Sequence, residues 1–435
     1  MGRSVRAAVI GAGVAGLCAA RELQRQGLKV VIFDKADRIG GTWIYDPRIE
    51  SDPLGLDPTR EIVHSSLYRS LRTNLPRQLM GFLDYPFPNR QNGDPRPFPG
   101  HEEVLYFLNK FADDFGLREL VKFNSEIVRV APVDETKNDE WLVEWRTRGS
   151  DSLSREVFDA VVVCVGNFTE PEVPTIPGLE NWPGYKLHSH NYRVAESFRG
   201  QTVVVIGFGA SAFDISRDIA TEAKEVHIAI RKPDVQVGKL ESHNNIWHHK
   251  MIEQAYEDGS IAFQDGSLVY ADTIVYCTGY RYHFPFLETK GIVTIEENRV
   301  GPLYKHIFPP RLAPWLSFIG IPFKNAVFPL VDIQSKWMAR VLSGKVALPK
   351  EEEMMASTNQ LYKQMEENGV PKCFTHALHP YEMEYQNGLL AEIGWPELEE
   401  WRGKVYAKSI NFITTMHDGY KDQWDSAYWE ALSDS

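Results

Sequence analysis

AAVIGAGVAGLCAA, residues Ala7–Ala20, passes from an apolar run through Gly11-x-Gly13-x-x-Gly16 into small residues able to open a helix. Each glycine has a physical task. Gly11 permits the tight turn out of a strand. Gly13 has no side chain, so a pyrophosphate can approach the backbone. Gly16 lets the helix pack close to the sheet, and the helix N-terminus offers unpaired N–H groups and positive potential. The glycine spacing alone is common, but here it has its context. A second apolar run, Lys29–Phe33 (KVVIF), ends at Asp34, 23 residues beyond Gly11, with Lys35 beside it. A carboxylate at that distance holds ribose hydroxyls. The competing reading is a βαβ turn that carries no nucleotide.

The same pattern returns later in the chain. Thr202–Ile206 reads as a strand, Gly207-Phe208-Gly209-Ala210-Ser211-Ala212 as the turn, and Ala212–Thr221 as the helix. Alanine serves at the third position, which needs only a small residue. The following strand, Glu225–Ile230, ends in Arg231-Lys232, with Arg231 24 residues beyond Gly207. A carboxylate repels a 2′-phosphate, whereas arginine binds one as a planar fork of donors. The first turn therefore suits FAD or NAD and the second suits NADP. Arg231 can also be read as a solvated residue at a strand end.

The 435 residues carry a formal net charge of −12, which argues against nucleic acid or an anionic membrane as the main partner. Cys18, Cys164, Cys277 and Cys373 form no CxxC pair, so neither a redox dithiol nor a zinc site nor a disulfide framework is expected. No cluster of metal ligands is evident. No leader is expected ahead of the first strand, and no apolar run is long enough for a bilayer. These features predict a soluble, cytoplasmic protein without a membrane anchor.

Between the two turns the chain has further landmarks. Gly40-Gly41-Thr42-Trp43 lets the backbone pass close to a ligand. Trp43 can cover an aromatic ring or simply pack under a loop. Tyr45–Arg60 reads as a loop. Thr73-Asn74-Leu75-Pro76 places a non-titrating donor and acceptor at Asn74, which can equally be a turn residue before proline. Gly100–Gly116 has helical spacing, with His101 as its cap. Glu126–Ala131 and Trp141–Arg146 predict a hairpin around a polar loop, Pro132–Glu140. Phe158–Val165 predicts one buried strand, and Ser267–Tyr276 a strand pair. Pro171, Pro174 and Pro177 make a hinge, and Phe284–Phe286 leads back. The predicted architecture is α/β: two dinucleotide-binding, Rossmann-like domains, with the second inserted into the first. The division is 1–170 (FAD-binding, first part), 171–283 (NADP-binding) and 284–435 (FAD-binding, second part, with C-terminal helices). In that last part, Pro314–Gly320 is predicted as a strand and Asp332–Leu342 as a helix. A helix N-terminus near Phe328–Asp332 is expected to face the flavin. Such an arrangement implies a flavoprotein that accepts hydride from NADPH.

Four stretches narrow this further. WPGYKLHSHNY, from Trp182, resembles the FxGxxxHxxxY fingerprint of the flavin-containing monooxygenases, with Trp182 in the Phe position and Gly184, His188 and Tyr192 in place. TNLP at Thr73–Pro76, CTGY at Cys277–Tyr280, and Phe328-Pro329 with Gln334 and Trp337 are similar to the same family. The resemblance covers nearly the whole chain. ESDPLGLDPTREIVHSSLYRSLRTNLPRQLMGF and HSHNYRVAESF resemble the plant branch that oxygenates sulfur, which includes glucosinolate S-oxygenases and an S-allyl-cysteine S-oxygenase of garlic. Two features depart from relatives: the second turn reads GFGASA, and Gly320-Ile321 stands where related reductases carry Gly-Asp.

The resemblance implies a cycle in which NADPH reduces FAD, O₂ forms a C4a-hydroperoxyflavin, bound NADP shields it, and a soft nucleophile takes its distal oxygen. It implies FAD contacts at Gly11, Ala12, Gly13, Val14, Ala15, Gly16, Asp34, Lys35, Gly41, Thr42, Trp43 and Thr73. It implies NADP contacts at Gly207, Phe208, Gly209, Ala210, Ser211, Ala212, Arg231, Thr278 and Gly279. Asn74 becomes the catalytic residue, holding the hydroperoxide. His188 and Tyr192 couple NADP binding to the site from the hinge, unless they are a structural hydrogen-bonded pair. The implied partners are O₂ and a small thioether of the S-alkenyl-cysteine or methylthioalkyl type. An amine N-oxygenase, a Baeyer–Villiger monooxygenase and a flavin-dependent NADPH reductase are the alternatives.

Overall fold

The computed structural model describes residues 5–134, 137–150, 152–415 and 417–433. Residues 1–4 and residues 135–136 of the predicted Pro132–Glu140 loop lie outside that set. The first nucleotide unit opens with β1 (Arg6–Ile10), α1 (Val14–Arg25) and β2 (Lys29–Phe33). It continues through α2 (His101–Asp114) and β3 (Val121–Lys122). An antiparallel sheet of β4 (Ser125–Pro132), β5 (Trp141–Thr147) and β6 (Leu153–Phe158) follows, and then β7 (Ala160–Val163). β1 lies parallel between β2 and β7, pairing Ala7 with Val30 on one side and with Ala160 on the other. Both faces of this sheet are covered, as parallel strands require. Successive side chains point to opposite faces. Ala7 and Val9 join the cluster beneath α1 and α2, while Ala8 and Ile10 join the one beneath the antiparallel sheet.

Next comes β8 (Glu170–Pro171), then β9 (Tyr185–His188), β10 (Thr202–Ile206), α3 (Ala210–Ala220) and β11 (Glu225–Ile230). β12 (Gly238–Lys239), β13 (Ile246–Lys250), β14 (Ile252–Ala255), β15 (Ser260–Phe263), β16 (Leu268–Tyr270) and β17 (Thr273–Tyr276) complete the unit. The second sheet runs β12-β13-β11-β10-β17-β9, parallel except at β12. The alternation repeats: Val203 and Val205 face the α3 cluster, and Val204 and Ile206 face the one that includes Ile261 and Phe263. The two connections between the units pair with each other, β8 lying antiparallel to β18 (Tyr280–Arg281).

The chain then forms a hairpin of β19 (Thr294–Glu296) and β20 (Arg299–Gly301). β21 (Leu316–Phe318) adds a fifth strand beside β7, giving the order β21-β7-β1-β2-β3. Helices α4 (Val327–Leu342), α5 (Glu351–Glu367), α6 (Glu382–Glu392), α7 (Glu400–Thr414) and α8 (Ser426–Ser433) follow.

Several local expectations are corrected. Phe158–Val165 is not one strand: Phe158 pairs with Trp141 in β6, and the chain turns at Asp159, whose carboxylate accepts from the Arg6 amide at 2.7 Å. The Ser267–Tyr276 pair divides between two sheets, because β16 joins β15 while β17 joins β10 and β9. His101 does not cap α2. Gly100 is the N-cap, and the buried His101 ring is the first helical residue. α4 starts at Val327, five residues earlier than Asp332. Pro329 falls in its first turn, where a helix has no use for the missing N–H.

Candidate cofactor and active site

Gly11 has φ +107°, and a Cβ there would meet the Cys164 carbonyl oxygen at 2.5 Å. A Cβ on Gly16 would lie 1.8 Å from the Gly11 carbonyl oxygen. Gly13 is the N-cap of α1, with no side-chain cap and no acidic residue in the first turn, so the N–H groups of the opening turn keep their positive end open. Gly41 closes on Gly13: a Cβ on Gly41 would stand 2.9 Å from the Gly13 Cα. The surface beside this helix N-terminus is therefore bare backbone. Asp34 accepts from the Ala12 amide at 2.6 Å and from the Ala36 amide at 2.7 Å. Burial pushes its pKa up and these two amides pull it back. Burial lowers the Lys35 pKa, against the pull of Glu126 and Asp34. Thr42 Oγ1 is 3.4 Å from Ser66 Oγ. Trp43 is half-buried, its ring tilted 6.4 Å from Phe328.

The second turn repeats the first. Gly207 has φ +138°, and its Cβ would meet the Cys277 carbonyl oxygen at 2.4 Å. Gly209 is the uncapped N-terminus of α3, with open space where a side chain would be. Ser211 is exposed in the first turn of α3, and Arg231 is exposed directly after β11. Lys232 Nζ sits 5.5 Å over the Phe208 ring. The Thr278 hydroxyl donates to the Glu172 carbonyl, so this side chain ties the two connections together. Gly279 has φ +90° and accepts from the Glu172 amide at 2.9 Å.

The fingerprint stretch lies where these connections cross. The Trp182 ring covers Gly184, where a Cβ would be 2.1 Å away, and its indole N–H donates to the Gly259 carbonyl at 3.0 Å. His188 is fully buried; its Nδ1 accepts from the His190 amide at 3.1 Å. Burial drives its pKa down to about 3, so the ring is neutral. Tyr192 donates its hydroxyl to Asp218 of α3. His188 and Tyr192 are thus bonded to different elements. A buried network was missed from sequence: Arg60 Nε donates to Glu50 at 2.7 Å, Glu50 also meets His190 Nε2 at 3.1 Å, and Arg60 reaches Glu170 at 3.1 Å. It pins the Tyr45–Arg60 loop to the fingerprint. A polar, proline-containing loop gives no periodic signal of such burial.

Thr73 is held by the Pro99 carbonyl, and its hydroxyl donates to the Leu75 carbonyl at 2.8 Å. Asn74 caps no helix; Pro76 is the N-cap of the short turn at Arg77–Leu79. Instead, Asn74 Oδ1 accepts from Lys421 Nζ at 3.2 Å, and the same ammonium donates to Asp214 Oδ2 at 2.7 Å. Burial lowers the Lys421 pKa, while Asp214 opposes that shift. Around this contact Leu75, Phe208, Phe213, Ala326, Tyr406 and Tyr420 share one apolar cluster. The Asn74 segment, the second glycine turn, the start of α4 and the C-terminal segment therefore converge. Lys421 was also missed, since 347 positions separate it from Asn74. Among the described residues no group of three or more His, Cys, Asp or Glu could hold a metal ion. Among them, too, no helix is long and apolar enough to cross a membrane.

Two bare, uncapped helix N-termini fit two dinucleotides, because a side chain at Gly13, Gly41 or Gly209 would occupy the approach. Comparisons with known proteins agree. A sequence model of the family described as flavin-binding monooxygenase-like matches residues 4–254 and 243–399. Flavin-containing monooxygenase FMO GS-OX-like 4 of Arabidopsis thaliana is 49% identical over 97% of this chain and 95% of its own length. Flavin-containing monooxygenase FMO GS-OX2 of the same plant is 52% identical over 96% and 91%. The structure of S-allyl-L-cysteine S-oxygenase from Allium sativum superposes with a TM-score of 0.96 at 50% identity, covering 99% of this chain and 98% of that one. The chain thus belongs to the flavin-binding monooxygenase-like family and is a flavin-containing monooxygenase, an enzyme class that works with FAD and NADPH.

Proposed function

We propose that the protein S-oxygenates a small thioether, of the S-alkenyl-cysteine or methylthioalkyl type, to its sulfoxide at the expense of NADPH and O₂. The observation that carries the cofactor assignment is the opposite charge at the two strand ends, Asp34 beside one uncapped helix and Arg231 beside the other. The thioether substrate is supported by the 50% identity to the garlic S-allyl-L-cysteine S-oxygenase.

FAD, held by the residues of the first turn, would supply the redox and oxygen-activating chemistry, with NADPH as its electron source. In this reading the N-terminus of α1 takes the FAD pyrophosphate, Asp34 its ribose, and Gly41, Thr42, Trp43 and Thr73 lie along the rest. The unit 171–283 takes NADP, with the pyrophosphate on α3 at Gly209–Ala212 and the 2′-phosphate on Arg231. The flanking 1–170 and 284–435 form the FAD unit. Asn74 offers hydrogen bonds from its carboxamide and brings no titrating proton of its own to the site. The surrounding apolar cluster keeps water away. Neutral, buried His188 positions the connection between the units and moves no proton. Four unpaired cysteines accord with a reducing, cytoplasmic setting.

The test is to follow NADPH oxidation, O₂ uptake and product together, offering S-allyl-L-cysteine, a tertiary amine and a cyclic ketone in turn. One sulfoxide per NADPH with the thioether alone is expected. Preferred N-oxide or lactone formation would move the substrate to an amine or a ketone. NADPH oxidation with only H₂O₂ released would mark a reductase or oxidase and overturn the proposal.

A further inference from the structure

We infer that Lys421 is a positioning residue that sets the orientation of the Asn74 carboxamide, an inference that rests on the role proposed for Asn74. An ammonium group only donates hydrogen bonds, so the atom of Asn74 at 3.2 Å from it is the carbonyl oxygen. With that oxygen turned toward the lysine, Asn74 presents its N–H donors to whatever lies on its other side. An amide free to flip would offer either.

The lysine is itself held firmly. Its side chain is buried, at 8% exposure for the residue, and its charge is answered by Asp214 at 2.7 Å. The backbone reciprocates. Lys421 Nζ reaches the Arg72 carbonyl at 3.5 Å, while Arg72 donates to the Lys421 carbonyl at 3.4 Å and to Asp422 at 2.7 Å. Three residues earlier, Asp418 accepts from Arg217 at 2.9 Å and from the Ser242 hydroxyl. Asp214 and Arg217 lie three apart on α3 and so share a face. The 418–422 segment is thereby clasped to the helix that opens the second nucleotide turn and to the strand of chain carrying Asn74. A buried ammonium is expensive unless its partners are fixed. Here one of those partners is the proposed catalytic amide.

The test uses the FAD-loaded full chain as Lys421→Met, Lys421→Arg, Asn74→Ala and the Lys421→Met/Asn74→Ala double variant. H₂O₂ released per NADPH is measured with S-allyl-L-cysteine present, and the unfolding midpoint is measured alongside. Loss of a charged hydrogen bond predicts that Lys421→Met raises the leak about tenfold, close to Asn74→Ala. The double variant is expected to leak no more than Asn74→Ala, its midpoint shift to be smaller than the sum of the singles, and Lys421→Arg to restore most of the coupling. A Lys421→Met enzyme as tightly coupled as the parent, or additive effects in the double variant, would make the lysine a structural prop and overturn the inference. An Asn74→Ala enzyme that stays coupled sinks the reading of Asn74 and this inference with it. That result is distinct from one in which Asn74→Ala leaks and Lys421→Met does not. Should Lys421→Met fail to fold, the paired replacement Lys421→Leu/Asp214→Leu removes both buried charges together and serves the same comparison.

Discussion

The carbonyl of Cys164 stands over Gly11, 2.5 Å from where a Cβ would be, and the carbonyl of Cys277 stands over Gly207 at 2.4 Å. Each cysteine amide also bonds the last residue of the neighbouring strand, Ile10 or Ile206, at 2.9 and 2.8 Å. Both glycines have positive φ, so alanine at either is opposed by backbone conformation and by a backbone atom that cannot step aside. Gly11→Ala is expected to yield protein that unfolds earlier and retains little FAD, read from the flavin-to-protein absorbance ratio. Gly207→Ala is expected to keep its flavin and lose NADPH-driven reduction. Equal FAD loss in both variants would contradict the assignment of one turn to each cofactor.

Arg231 follows β11 with its side chain exposed, where a 2′-phosphate can reach it. A charge-assisted, forked contact is worth about 1.5–3 kcal/mol, or about tenfold and more in affinity. Arg231→Ala should raise KM for NADPH by that factor and leave KM for NADH nearly unchanged. Steady-state kinetics with the two nucleotides decides it; equal changes would rule out recognition of the phosphate.

These two predictions rest on parts of the molecule that were legible in the chain. Strand, turn and helix are local, so the places of the glycines in their turns and of Asp34 and Arg231 at their strand ends follow from spacing, and the alternation of Ala7, Ala8, Val9 and Ile10 between two cores follows from strand geometry. What could not be read depends on long-range placement. Phe158 was assigned to the wrong strand because its apolar neighbours continue across the turn at Asp159. Pro329 hid the start of α4, since proline breaks a helix anywhere but its first turn. Lys421, Asp214 and the Glu50–Arg60–His190 network are polar groups in segments without periodicity. Their burial is decided by partners far away in sequence.

One such long-range group supports a stability prediction. Asp332 on α4 is fully buried and accepts from Arg21 of α1 at 2.7 Å, from the Leu83 amide at 2.9 Å and from Lys336. Replacing it by asparagine leaves Arg21 and Lys336, both almost wholly buried, without their nearest shared anion. Removing one partner of a buried ion pair costs up to about 3–5 kcal/mol, reduced here because Glu22 and Asp84 still answer both cations. Asp332→Asn should therefore lower the urea midpoint, while Asp332→Leu combined with Lys336→Met should recover much of the loss. A single variant as stable as the parent would show that Glu22 and Asp84, which already lie within 3.6 Å of both cations, suffice to hold them.

Acid should destabilise the fold through histidines buried in neutral form. Burial lowers the pKa of His64 and His188 to about 3 and of His248 and His306 to about 4, from an unfolded value near 6.5. Between pH 6.5 and 4 the unfolded chain takes up protons at these positions and the folded chain does not. The unfolded state then binds more protons, so stability rises with pH across this window and is lost as pH falls. Each histidine adds a slope of at most about 1.4 kcal/mol per pH unit. Urea unfolding at pH 7, 6 and 5 should show the decline. His248→Leu, which removes a ring whose Nε2 is buried without a hydrogen bond, should make it shallower. A stability profile that stays flat from pH 7 to 5 would mean that these rings gain protons in the folded state, and water would then have to reach them.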